Sequence, residues 1–490
     1  MIWNLHKLRA LAAHASTRIC LLLLAWLLMV PGAAHAGPDQ AKGATPWAMV
    51  LCTYPDATVR PDWQRASFDA LFAPGTQGLT DYFRDVSYGA IDISGSRVFG
   101  WFMLPYLKAE ALRVLAKDAI IGIGATTVMS PNAHFHASDI GKEIWIDKVL
   151  PPGTTIVGLV DGNDNLALVS NPAIATTFGA DVKIKRSREL LIEDCAHAAE
   201  SQVDFSGFYG IIAMRNDNFD ADSTGRRSLL LNGQKKTYGF VLLADWWLNT
   251  THIAHEMLHG YGLQHSYGDP NSNCDPSGAY CDPWDIMSAM SVNSFNGAFG
   301  MATDRTANSG PGMNAGMLDL MGWLPAPRRA VWNGTTTSLQ LAPLSHPEWQ
   351  GALAAVIPLE SGAHYLTVEL RAPDRWDRGF AALTSFGGRV FVHEVRIGTD
   401  GEPHTWLRSG LTVDGVADYA LAAGGFYRDQ TNNVLIQVAS ISTDASAAMI
   451  TIQRLNPSAA PPGYSGGTGS LGACTTCPGG GPPKKPPRFQ

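Results

Sequence analysis

A chain of 490 residues is too long for one ordinary domain and points to about two or three. Hydrophobic residues make up 46% and charged residues only 16%, which is ample material for buried cores. A formal charge of -7 and a pI near 6.0 argue against a nucleic-acid-binding surface, and the short basic run KIKR (183–186) does not alter that.

The N-terminus places Lys7, Arg9 and Arg18 ahead of an apolar run, ICLLLLAWLLMV (19–30), followed by PGAAHAG with small residues at Ala34 and Ala36. Positive, apolar and A-x-A regions in that order predict a secretory signal peptide, 1–36, cut after Ala36. A membrane anchor is the alternative, but the run is short for a span of about twenty residues. No later run is long enough, so the mature chain is expected to lack a membrane span and to be secreted, extracellular or periplasmic. Cys20 leaves with the signal, while Cys52, Cys195, Cys274, Cys281, Cys474 and Cys477 remain. An even number in an exported chain predicts disulfides. Cys274 with Cys281 is the most local pairing in the folded part, and Cys52 with Cys195 follows if the tail pair closes on itself.

WAMVLCTYPD (47–56) reads as a buried strand, and DWQRASFDALFAP (62–74) and GLTDYFRDVSYG (78–89) as short helices. AIDISGSRVFGWFMLP (90–105) alternates like a strand or hairpin. From about residue 119 charge thins out. KEIWIDKVLPPGTTIVGLVDGNDNLALVS (142–170) reads as strands joined by Pro-Gly and Asp-Gly turns, a small β insertion at 119–185. SRELLIEDCAHAAESQ (187–202) is helical, with Ser187 as N-cap and Glu189 in the first turn. Two apolar strands, FYGIIAMRN (208–216) and YGFVLLAD (238–245), lead into the stretch that carries the chemistry.

That stretch is HIAHEMLHGYGLQHSYGD (252–269). Asn249, Thr250 or Thr251 can cap a helix through it, with Ile253, Ala254, Met257 and Leu258 turned to the core. His255 and His259 then share one face a turn apart, so two imidazoles can converge on one metal. Glu256 sits at the edge of that face, placed to touch a water rather than the metal. Gly260 and Gly262 can reverse the chain and bring His265 back as a third ligand. Three neutral nitrogens leave a position open, which marks a catalytic rather than a structural site. The five fixed positions of His255-Glu256-x-x-His259-x-x-Gly262-x-x-His265 should arise by chance in fewer than about one such chain in ten thousand. His252 lies one turn earlier and reads as exposed or behind the ligands. His393-Glu394 on an alternating strand, with no second histidine, reads as structural.

This pattern resembles the metzincin zinc metallopeptidases. That family adds a methionine turn beneath the metal, and CDPWDIMSAM (281–290) offers Met287, with Met290 second. LTDYFRDVSYGAIDISGSRVFGWFMLP (79–105) and GPGMNAGMLDLMGWLP (310–325) resemble secreted peptidases of the immune inhibitor A-like and gametolysin-like groups. No tyrosine closely follows Met287, so an astacin-like further ligand is not expected. The resemblance implies one catalytic Zn2+ on His255, His259 and His265, and Glu256 as general base in the hydrolysis of protein or peptide substrates.

After about residue 325 the pattern is β throughout, in TSLQLAPL (337–344), ALAAVIPL (352–359), HYLTVEL (364–370), GRVFVHEVRI (388–397), NVLIQVASI (433–441) and AAMITIQRL (447–455). From Pro457 onward there is almost nothing to bury, and the tail is expected to be disordered and dispensable. The fold class expected is therefore α+β. A metzincin-like peptidase domain spans 37–118 and 186–326, with the β insertion at 119–185. An all-β, sandwich-like domain, 327–456, follows as a folding unit of its own, with the tail at 457–490.

Two rival functions stand beside the peptidase. One is an inactive zinc-binding homologue. The other is a carbohydrate- or surface-binding module in the β domain, lined by Trp349, Trp376 and Trp406, although isolated tryptophans are usually core. Ca2+ is a weaker expectation: Asp220, Asp222, Thr224 and Gly225 match the start of a calcium loop, but Leu231 stands where such a loop needs glutamate.

Overall fold

The computed structural model describes residues 40–59, 63–160, 163–217, 222–245, 248–270, 274–275, 277–297, 308–359, 364–383 and 387–455. The expected signal peptide at 1–36, the tail with Cys474 and Cys477, and Asp220 of the calcium expectation lie outside the described residues.

The α+β expectation, a metzincin-like domain followed by an all-β one, is corrected. The chain is mostly β, with 39% strand against 17% helix, six sheets and six helices among the described residues. Helix length is the reason: the longest described helix, Arg188–Ala199, has 12 residues, and Lys108–Ala111 has 4. Most of the remaining ordered backbone pairs edge to edge, and the arrangement does not identify the α+β metzincin fold.

A five-stranded sheet carries the site. Its order is Asp222–Leu231, Gln234–Leu243, Gly210–Arg215, Trp47–Thr53, Arg97–Met103. Only the first of these runs antiparallel to its neighbour. Trp47–Thr53 and Gly210–Arg215 are buried along their whole length, which is why they read as unbroken apolar runs. Alternate side chains then serve two cores. Met49, Leu51, Ile212 and Met214 pack with Ile253, Ala254, Met257 and Leu258 of the helix Thr250–Gly260. Val50, Cys52, Ile211 and Ala213 pack with Leu191, Ile192 and Cys195 of Arg188–Ala199. The disulfide Cys52–Cys195 joins sheet to helix on that second face, with Cα atoms 5.9 Å apart.

Trp47 sets the distance between the sheet and the helix that carries the histidines. A Cβ on Gly260 would meet the Trp47 ring at 2.5 Å, and one on Gly239 would meet the same ring at 2.7 Å. Without those side chains the indole lies between strand and helix end, and its Nε1 donates to the Tyr261 hydroxyl at 3.0 Å.

The insertion forms a six-stranded antiparallel sheet of its own around Ile121, Val128, Ile144, Ile156, Val169 and Val182. It enters and leaves through one strand pair, Leu112–Ile121 beside Thr177–Lys185, with Leu112 opposite Lys185.

Two further six-stranded sheets follow. The first runs Ser266–Tyr267, Pro403–Leu407, Arg389–Ile397, Tyr365–Arg371, Ala354–Pro358, Arg329–Val331. Leu366, Val368, Val390 and Val392 on one of its faces meet Val434, Ile436, Ile450 and Ile452 of the second. The other face is not solvated: Thr367, Glu369, Arg371 and His393 point from it and are buried. This sheet shares strands and core with the preceding part of the chain. Strand Ser266–Tyr267 follows the third candidate ligand directly, and Leu344, Leu353, Ala354 and Trp376 join the core around the histidine helix.

Candidate metal centre

Among the three possible caps, Asn249 is the one used: its side chain accepts from the His252 amide at 3.0 Å. The helix Thr250–Gly260 then puts His255 and His259 on one face, with ring centroids 4.7 Å apart. It ends in a Schellman turn. Leu263 N donates to Leu258 O at 3.1 Å, and Gly262 N to His259 O at 2.8 Å. Gly262 has φ +94°, a conformation that favours glycine, and the reversal brings His265 back toward the helix.

The three imidazoles converge through Nε2. His259 Nε2 lies 3.1 Å from that of His255 and 3.2 Å from that of His265. The ligand atoms of all three fall within 4.8 Å of one another, so the group can hold a metal ion. The opposite ring nitrogens decide the tautomer. His255 Nδ1 donates to Ile286 O at 2.6 Å, and His259 Nδ1 donates to Leu263 O at 2.7 Å. Both Nε2 lone pairs therefore point at a common centre, an arrangement that a cation relieves. Burial first, and then the neighbouring imidazoles, hold His255 and His265 well below the usual histidine range, so they stay neutral and ready to ligate. Among the described residues this is the one cluster of His, Cys, Asp or Glu with such geometry.

Glu256 is buried beside the ligands, and its Oε1 lies 3.6 Å from His252 Nδ1. His252 is not part of the convergent trio. Burial, then His259, drives its pKa down to about 3, so it faces Glu256 as a neutral ring. Met287 is fully buried in the core that holds Ile253, Met257 and Leu258, and Met290 joins the same core. The Met287 backbone is fixed at both ends: its N–H donates to Asp285 Oδ1 at 2.6 Å, and its carbonyl accepts from Ser266 N at 2.9 Å.

Tyr280 lies ahead of Met287 and outside the histidine motif. Its hydroxyl lies 3.0 Å from His265 Nε2, on the side where the ligand nitrogens meet. It has φ +60° and sits next to Cys281, which is bonded to Cys274 with Cα atoms 5.3 Å apart. Burial, then the charge of Glu256, raises its pKa, so the phenol keeps its proton. The Cys274–Cys281 bond places Tyr280 in a short closed loop, but no motif or periodicity in the sequence marks it.

The remaining sequence candidates fall elsewhere. Asp222, Thr224, Gly225 and Leu231 belong to one strand, Asp222–Leu231, and Asp222 pairs with Arg188 at 2.5 Å. The described part of the calcium expectation thus lies in a strand at the edge of its sheet. Trp349 stacks on His346, Trp376 packs under Tyr82, and Trp406 lies between Tyr267 and Arg396. Glu394 is bridged by His364 and Arg408. No helix among the described residues is long and apolar enough to cross a membrane.

No family model matches this chain, and no curated protein matches it.

Proposed function

We propose that the chain is a secreted zinc-dependent endopeptidase whose catalytic motif is of the metzincin kind. The observation that carries this reading is the convergence of three Nε2 atoms with two Nδ1 atoms already committed to carbonyls, and with Glu256 buried alongside. A three-nitrogen donor set of borderline softness suits Zn2+, and it leaves a position for water or substrate. His255, His259 and His265 would hold the ion, which when bound supplies a Lewis acid for the scissile carbonyl and acidifies a water. Glu256 takes the proton of the attacking water and passes it to the leaving amine. His252 packs against Glu256 as a neutral ring and adds no competing charge. The Tyr280 hydroxyl donates to the oxygen on which charge develops. The two disulfides support export to an oxidising compartment. The rival tryptophan-lined binding face gains no support, because the rings of Trp349, Trp376 and Trp406 are engaged within the protein.

The direct test is hydrolysis of casein or a quenched peptide library by the full secreted chain, with zinc measured by atomic absorption. Chelation should abolish cleavage and added Zn2+ restore it. A zinc-loaded chain that cleaves nothing would favour the inactive homologue.

A further inference from the structure

We propose that His393 is a positioning residue for the metal centre, tying the C-terminal sheet to the third ligand and to the Met287 turn through Asp282. His393 stands on the strand Arg389–Ile397, far in sequence from the histidine helix, and is fully buried. Its Nε2 donates to Asp282 Oδ2 at 3.1 Å. The same oxygen accepts from Ser266 Oγ at 3.3 Å, on the residue next to His265. Asp282 Oδ1 accepts from Trp284 N at 3.0 Å, and its own N–H donates to Ser288 Oγ, also at 3.0 Å. Asp282 thus holds both sides of the Met287 turn, Trp284 through its carboxylate and Ser288 through its backbone N–H, while the carboxylate also holds the segment of His265. That turn presents Ile286 O to His255 Nδ1, so two of three ligands lean on a loop that His393 anchors.

The surroundings explain why a histidine serves here. Asp282, Asp285, Glu369 and Asp377 are buried together, with Arg371 and His393 as the cations facing them. Arg371 is committed to Asp377 at 2.6 Å and to Glu369 at 3.1 Å. His393 is left for Asp282 and stands 3.7 Å from Glu369. Burial alone pulls its imidazole down, but Glu369 and Asp282 outweigh burial and hold it above the usual histidine range. Buried charged groups of this kind seldom add stability over apolar ones, and their better-attested use is to fix one arrangement among several.

The kinetic arm of the test rests on the peptidase reading; the zinc arm does not. Zn2+ affinity of the full chain is measured by competition with a chelator, together with kcat, KM and the melting temperature of the metal-free protein. His393→Leu should lower zinc affinity and kcat by roughly 10–100-fold, the usual range for residues that orient ligands, with KM little changed. His393→Gln, whose amide still donates to Asp282, should recover most of both. Should His393→Leu fail to fold, Asp282→Asn decides: a loss of about tenfold or more in zinc affinity supports the proposal. A folded His393→Leu, or Asp282→Asn, that binds zinc within about twofold of wild type overturns it. Wild-type chain that binds zinc but shows no hydrolysis would sink the peptidase reading and leave the zinc comparison intact.

Discussion

His255 Nδ1 donates to the carbonyl oxygen of Ile286 at 2.6 Å, so the first candidate ligand is oriented by the residue just before Met287. The methionine turn therefore acts through its backbone, and the Met287 side chain fills the core beneath. Met287→Leu, close in volume, should leave zinc content unchanged and hydrolysis within a few-fold of wild type, at a stability cost below about 1.5 kcal/mol. A loss of zinc in that variant would mean that the thioether itself matters.

Glu256 and His265 should separate base from ligand. Glu256→Gln keeps the shape but cannot take the proton, so zinc stays bound while hydrolysis falls by about 10²–10⁴. His265→Ala removes a ligand reached only through the Gly262 turn, and zinc affinity should fall along with activity. Atomic absorption beside peptide hydrolysis reads both variants. Full activity in the first, or retained zinc in the second, would reverse the assignment.

Tyr280→Phe should keep zinc and lose roughly 10²-fold in kcat, as for loss of one donor to a developing oxyanion. Wild-type kcat in that variant would make the hydroxyl a bystander. Cys274→Ser with Cys281→Ser should mimic part of the effect, since opening the short loop releases Tyr280 and costs about 2–3 kcal/mol by the chain-entropy estimate.

Gly260→Ala tests the seat of the helix. The new methyl would lie 2.5 Å from the Trp47 ring, which is itself packed against Tyr209 and Tyr261 and cannot swing away freely. Overpacking of this kind costs about 1–3 kcal/mol, read as a lower midpoint in urea unfolding. An unchanged midpoint would show that the interface gives more readily than its close contacts imply.

The buried carboxylates set a pH dependence whose sign follows from one direction of shift. Burial, then Asp282, raises Asp285 to about 7, and His393 is also raised. A raised folded-state pKa contributes stability that is full below the unfolded value and is lost as pH rises through the folded one. For Asp285 the loss runs from its ordinary carboxylate range up to about 7, and for His393 it continues above the ordinary histidine range. Metal-free wild type, unfolded in urea between pH 4 and 9, should show a decline that Asp285→Asn flattens at the lower end and His393→Gln at the upper. Equal slopes in all three proteins would show that neither group is shifted in the folded chain.

The histidine trio was legible in the sequence because its geometry is local. Helical periodicity puts His255 and His259 on one face, and Gly262 supplies the reversal for His265; all of this lies within the stretch 252–269. Cys274 with Cys281 was legible for the same reason. Strand alternation, by contrast, shows which side chains share a face but not what covers that face. In HYLTVEL the apolar residues Leu366, Val368 and Leu370 face the second sheet, as alternation suggests. Thr367 and Glu369, which alternation would leave to water, are buried instead, and Glu369 accepts from Ala315 N at the start of the helix Ala315–Leu320. Tyr280, Asp282 and His393 reach the site through a disulfide loop and a distant strand, and contacts across such separations leave no periodic trace. The strands themselves were legible from alternation and apolar runs; the α+β class came with the family resemblance, and the strand content overturns it. Local backbone geometry was written in the chain; the partners that bury and orient it were decided only when distant segments packed.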